Sequence, residues 1–339
     1  MRRVSAQSLI WALAILLPVA ALVSMTVGTV NISLADALSA VAGSSVNQQT
    51  DTILFDIRLP RILLAIFVGA VLASTGAVMQ GLFRNPLADP SLIGVSSGAS
   101  VGASLMIVTA GGFIQSGALV GLSLVAVGAF VGGFAATLLV YRLATSGIGT
   151  SVTTMLLAGI AIGALAGALN SLLSYFSDND MLRQISLWQM GNLSGASWLK
   201  VSIMGAVAIF LMLLFPRESK ALNALLLGES EARHLGIDVQ RVKRRLIVLT
   251  ALGVGVSVAL AGLVGFVGLI MPHIVRLAIG PDHRWLVPGS ALAGATLLVI
   301  ADSLARIVVI PAELPTGILT ALLGAPFFVA LLLQQRKDV

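Results

Sequence analysis

The sequence predicts an all-α, polytopic membrane protein: one transmembrane domain, residues 1–339, that crosses the bilayer about ten times. Three observations lead there. Apolar residues make up 58% of the chain and charged residues 10%, with a mean hydropathy of +1.03, whereas about a quarter of a soluble domain is charged. Apolar runs near the roughly 20 residues that a helix needs to cross the bilayer core follow one another along the chain. Lipid offers backbone N–H and C=O groups no partners, so each run must close its own hydrogen bonds as a helix.

The first span, 8–30, follows Arg2 and Arg3. A basic start before an apolar core also describes a signal peptide, but the run is long enough to span and shows no convincing small-x-small cleavage site. The second, 60–83, is entered through "RLPR", with Pro60 suited to a first helical turn. It ends at "RNPLADP", where Asn85-Pro86 and Asp89-Pro90 break the helix. Spans 92–109 and 115–141 carry Gly98/Gly102, Gly117/Gly121 and Gly128/Gly132, a four-residue spacing that lets helix backbones approach closely. The fifth, 151–176, places Gly159, Gly163 and Gly167 between polar ends, Thr150, Ser151, Thr153 and Thr154 on one side and Asn170, Ser171 and Ser174 on the other. That pattern suits a helix lining a path; ordinary capping and interfacial placement is the plainer alternative.

The sixth span, 196–215, leads into the longest polar stretch, 216–245, "PRESKALNALLLGESEARHLGIDVQRVKRR". It reads as two short helices punctuated by Gly228 and Gly236, with Glu229, Glu231 and Arg233 facing water. Such a surface suits a protein partner; a solvated, positively charged linker is the competing reading. The apolar run 246–279 is too long for one span and holds Gly253, Gly255, Gly262, Gly265 and Gly268, so it divides into 246–263 and a short 265–279. Spans 287–308 and 315–333 complete the set.

Charge sets the orientation. With the N-terminus cytoplasmic, all of the twenty Lys and Arg lie inside except Arg58, Arg61, Arg183, Lys200 and Arg306, which predicts both termini inside. Arg58 and Arg61 then sit outside at a helix N-terminus, where the macrodipole disfavours positive charge. An acidic partner would compensate them; lipid headgroups, or Asp51 and Asp56, would also. Arg306 lies one turn after Asp302, so an internal pair is its simplest reading.

Several chemistries are excluded. The chain has no Cys and three scattered His, hence no thiol nucleophile, disulfide framework or metal-ligand spacing. No G-x-x-x-x-G-K-[ST] loop occurs, and the stretch 216–245 is too short for an ATPase domain. The basic residues fall in loops, as topology signals do, rather than forming a nucleic-acid face. No Asp, Glu, Lys or Arg falls in the central third of a span, which speaks against an ion-coupled secondary transporter; nor is there the residue cluster of a membrane-embedded enzyme. Residues 67–103 and 255–295 share a pattern of glycine-rich span, polar turn with Pro, and small-residue span, a faint inverted repeat of the kind transporters use.

The motifs "RLPR", "GAVMQGLFRNPLADPSLIGVSSGA", "LLLGESEARHLGI", "GLVGFVGLIMPHIVR", "DHRWLVPGSALAGA" and "ELPTGILTALLGAPFF" occur in this order. They resemble the permease subunit of ABC importers for iron-siderophores, haem and cobalamin, the FecCD/BtuC-like family, over residues 8–333. The resemblance implies a type II ABC importer permease in the bacterial inner (cytoplasmic) membrane, working with a second copy of itself. Its other partners would be two ATPase subunits that hold ATP and Mg, and a periplasmic substrate-binding protein. The chain itself would bind no cofactor and no metal and would catalyse no reaction. By motif match, Arg58, Arg61 and Arg306 would dock the binding protein, and Glu229, Ala232, Leu235 and Gly236 would couple to the ATPase. Thr150 and Ser151 would form the cytoplasmic gate. Haem is the expected substrate, with a ferric siderophore or cobalamin as alternatives. The "PHIVR" setting of His273 resembles members with other substrates, so haem ligation is not expected of it.

Overall fold

A computed structural model of the chain describes residues 4–43, 47–110, 118–147 and 149–337. Arg2, Arg3, the Gly117/Gly121 spacing and the side chains of Arg336 and Lys337 lie outside the described residues. In chain order the first elements are α1 (Ala6–Thr26), α2 (Leu34–Val41), α3 (Gln48–Thr52), a π-helical turn (Ile53–Arg58) and α4 (Leu59–Leu82). A 3-10 turn, Pro90–Ile93, precedes α5 (Val95–Thr109). Next come α6 (Ala118–Ala144), a hairpin of β1 (Thr145–Ser146) and β2 (Gly149–Thr150), α7 (Val152–Tyr175), α8 (Asn179–Gln189) and α9 (Trp198–Leu214). The rest is α10 (Ser219–Leu227), α11 (Glu229–His234), α12 (Val239–Ala261), α13 (Val267–Ile279), α14 (His283–Ala305) and α15 (Thr316–Lys337).

Among the described residues, seven helices are long and apolar enough to cross a membrane, and Val95–Thr109, Val267–Ile279 and Thr316–Ala330 are shorter apolar helices. Every span expected from the sequence therefore has its helix. The division of 246–279 falls where Gly262 (φ 70°) and Phe266 (φ 66°) take left-handed conformations that no helix continues through. The paired short helices also form, with Gly228 and Gly236 at positive φ between and after them.

Three details differ from the sequence reading. Pro60 does not start a helix: helical structure begins at Gln48, and the π turn, in which the Leu59 N–H bonds to Leu54 O, carries the chain into α4. Arg58 and Arg61 thus lie inside a helical run rather than at its positive end. The polar stretch 216–245 yields its last seven residues to α12, which starts at Val239 with Asp238 as its N-cap. Residues 179–189 form α8, capped by Asp178, which accepts from Met181 N; too few apolar positions mark it as a span.

Contacts divide the chain into two compact units, and α4 passes from one to the other between Ala77 and Val78. In the first (Met1–Ala77, Asn192–Pro216, Val264–Val339) α1, α13 and α15 pack on α14. There α4 meets the backbones of α14 and α13 so closely that a Cβ on Gly69 would stand 2.4 Å from Gly294 O, and one on Gly76 would stand 1.8 Å from Gly268 O. In the second unit (Val78–Gly191, Arg217–Leu263) α5 lies on α6, with α7 and α12 against both. The four-residue glycine spacings interlock: Gly98 faces Gly132, and Gly102 faces Gly128. Lipid supplies no hydrophobic drive between helices, so close backbone contact and dispersion hold them.

Burial differs sharply among the spans. Of the apolar stretch of α14, 72% is buried, and of that of α7 only 17%. Leu157, Ile160 and Leu165 of α7 are exposed in the single chain.

Candidate functional site

Two buried ionic clusters stand out, one in each unit. In the first unit the π turn and the start of α4 supply Arg58 and Arg61, the end of α14 supplies Asp302 and Arg306, and the segment before α15 supplies Glu313. Arg58 donates to Met25 O and Val30 O, and it lies so close to Gly28 that a Cβ there would stand 2.9 Å from Nη2. Arg61 Nε donates to both oxygens of Asp302 at 3.0 Å, and its Nη1 to Glu313 Oε2 at 2.6 Å. Arg306 reaches Asp302 Oδ2 from Nη2 at 3.1 Å, donates from Nη1 to Ser24 O (3.2 Å) and Val27 O (3.1 Å), and bonds Ser24 Oγ through Nη2. Thr316 Oγ1 donates to Asp302 Oδ1 at 3.0 Å.

All three arginines are buried, and Asp302 is 1% exposed. Three guanidinium groups face two carboxylates, so the cluster keeps a net positive charge; Arg61 Nη2 is buried without a hydrogen-bond partner among the described residues. The structure therefore brings together Arg58, Arg61 and Arg306, and it pairs Arg306 with Asp302 as the one-turn spacing implied. Arg58 and Arg61 find backbone carbonyls, Asp302 and Glu313 where Asp51 and Asp56 were the local candidates. Glu313 was not singled out from the sequence, because its partner lies 252 positions away.

In the second unit, the hairpin ahead of α7 and the start of α11 both meet α12. Lys243 Nζ donates to Glu229 Oε1 at 2.6 Å and to Thr150 O at 2.8 Å. Thr150 N donates to Gln240 Oε1 at 3.0 Å, and the hydroxyls of Thr145 and Thr150 lie 3.0 Å apart across the hairpin. Ser151 follows immediately and caps α7 by accepting from Thr154 N at 3.2 Å. Lys243 and Thr150 are buried, while Ser151 is exposed.

Of the other residues singled out in the sequence, Ala232 is buried, Leu235 is exposed at the end of α11, and Gly236 (φ 82°) closes that helix. Glu231 and Arg233 face solvent as expected, but Glu229 turns inward to Lys243. Lys243 and Gln240 were missed. The signal was present: Val239, Lys243, Leu246, Ile247 and Thr250 fall at helical spacing on one buried face, hidden in the basic run "RVKRR".

The FecCD transport family profile matches residues 16–334. The chain belongs to the FecCD transport family. Among curated relatives, the hemin transport system permease protein HmuU of Yersinia pestis is 44% identical over 336 residues, covering 99% of this chain and 98% of the relative. The vitamin B12 import system permease protein BtuC of Shigella boydii serotype 18 is 42% identical over 338 residues, covering 99% and 98%. A solved metal-chelate type ABC transporter in an inward-facing conformation superposes with a TM-score of 0.84 at 34% identity, covering 97% of this chain and 99% of that one. PsaBC from Streptococcus pneumoniae shares the fold, with a TM-score of 0.58 at 20% identity, over 83% of this chain and 92% of that one. This FecCD chain is thus a multi-pass membrane permease of the type II ABC importer class, and its activity is transport.

Proposed function

We propose that the chain is the permease subunit of an ATP-driven importer that moves haem, taken from a periplasmic binding protein, across the bacterial inner membrane. The observation that carries this is the full-length identity of 44% to a hemin transport permease. Two copies form the pathway, two ATPase subunits hold ATP and Mg, and both termini are cytoplasmic. An axial role for α7 rests on the polar residues at its two ends together with its exposed apolar face; low burial alone does not select it, since α1 is buried still less.

The loaded binding protein docks over Arg58, Arg61 and Arg306; the side chains are buried in the single chain, so it is the cluster's residual positive charge, rather than an open contact, that supports an acidic partner there. Glu229, Ala232, Leu235 and Gly236 form the coupling element, whose exposed Leu235 offers the ATPase an apolar contact. Thr150 and Ser151 form the cytoplasmic gate. Nucleotide-driven closure of the ATPases moves the coupling elements, and outer and inner gates exchange without any covalent change in the solute.

A second reading, cobalamin import, is favoured by the 42% identity to a vitamin B12 permease; a ferric siderophore is a third substrate for the same machinery. Vesicles holding the permease with its ATPase decide among them. Haem-loaded binding protein should stimulate ATP hydrolysis and fill the vesicles with haem. Accumulation of cobalamin or a ferric chelate instead replaces the substrate, and uptake that follows an ion gradient without ATP refutes the importer reading.

A further inference from the structure

We propose that Lys243 is the residue through which the coupling element moves the gate, an inference that rests on the permease reading above. The side chain of Lys243 is 2% exposed, and its ammonium holds Glu229 Oε1 at 2.6 Å and Thr150 O at 2.8 Å at once. One turn earlier on α12, Gln240 Oε1 accepts from Thr150 N at 3.0 Å. Both backbone polar groups of the gate residue Thr150 are therefore held by one face of α12. The first residue of the coupling helix is tied to the same ammonium.

An exposed lysine exchanges a carboxylate for water at little cost. A buried ammonium has no such exit, because releasing either partner leaves a charge or a carbonyl unpaired in a poorly solvated place. A shift of α11 must therefore carry Lys243 with it or be resisted by it. The next covalent step completes the linkage: Thr150 is followed by Ser151, whose Oγ caps α7. Gly149 lets Gln240 lie against the hairpin, since a Cβ there would stand 2.4 Å from Gln240 Nε2. Segments around 150, 229 and 243, distant in the chain, thus meet at one side chain.

The chain contains no cysteine, so Thr153→Cys, at an exposed position in the first turn of α7, reports gate movement through its rate of maleimide labelling. The complex with its ATPase is reconstituted in lipid vesicles with haem-loaded binding protein, and labelling with and without ATP is measured beside haem taken up per ATP hydrolysed. Lys243→Met, close in length, should keep ATP hydrolysis while haem per ATP falls at least about fivefold, the lower end of typical intersite coupling; ATP should no longer alter labelling. Lys243→Arg, which keeps both donors, should retain most of the coupling. Gln240→Leu, at a half-buried position, should act in the same direction and carries the test if Lys243→Met does not assemble. A wild-type ratio and labelling response in Lys243→Met, or in Gln240→Leu when it carries the test, overturns the proposal. A complex that imports no haem but whose labelling responds to ATP sinks the substrate alone, and one with no response to ATP sinks the permease reading itself.

Discussion

Replacing Asp302 by Asn tests whether the arginine cluster is a buried ionic network or a solvated one. Asp302 accepts from Arg61 Nε at 3.0 Å on each oxygen, from Arg306 Nη2 at 3.1 Å and from Thr316 Oγ1 at 3.0 Å. Asparagine keeps the shape but removes the charge and turns an amide donor toward guanidinium donors. Arg61 then keeps Glu313, whose side chain is 33% exposed, and at most the single amide oxygen of the asparagine, while Arg306 keeps carbonyls and Ser24. Losing one partner of a buried pair costs about 3–5 kcal/mol, whereas losing one neutral hydrogen bond costs about 1 kcal/mol. Reversible unfolding in mixed micelles, titrated with a denaturing detergent, separates these values. A loss near 1 kcal/mol or less would refute the buried network. The triple change Arg61→Met, Asp302→Leu and Arg306→Met should be less damaging than Asp302→Asn, because the one carboxylate it deprives of a partner, Glu313, is 33% exposed and no buried ion pair is left half broken.

Glu313→Gln adds one net positive charge to the cluster and loosens an arm of Arg61, so under the docking proposed above an acidic binding protein should bind more tightly in a salt-sensitive way; weaker docking in a surface-binding assay would contradict this. Gly76→Ala would drive a Cβ into Gly268 O, forcing α4 from α13 at a cost of about 1–3 kcal/mol in thermal or detergent unfolding; unchanged stability would mean the helices part freely. Asp89 caps the turn before α5, accepting from Ser91 N at 2.7 Å, and burial raises its pKa despite that bond. An acid with a raised folded pKa binds protons more readily folded than unfolded, so its contribution to stability falls as pH rises from the unfolded through the folded value. Asp89→Asn should therefore gain on the wild type as pH rises above the ordinary carboxylate value of about 4; a pH-independent difference would overturn the assignment.

Much was legible in the sequence because lipid restricts the backbone so severely. The break inside 246–279 and the short helices around Gly228 followed from length and punctuation, and Arg306 with Asp302 followed from one helical turn. What failed depended on neighbours remote in the chain. Pro60 looked like a helix start because a π turn leaves no composition signal, and Glu229 looked solvated because nothing near it in sequence announces Lys243.

The amino-acid sequence alone determined that this protein lives in a membrane, where its helices lie and which family motifs it carries, since those follow from local hydropathy, helical period and residue identity. Only the tertiary structure decided that Asp302 and Glu313 answer Arg61 and that Lys243 joins Glu229 to Thr150. A buried charge takes whichever partner the packing of distant helices brings within about 3 Å, and no local pattern encodes that meeting.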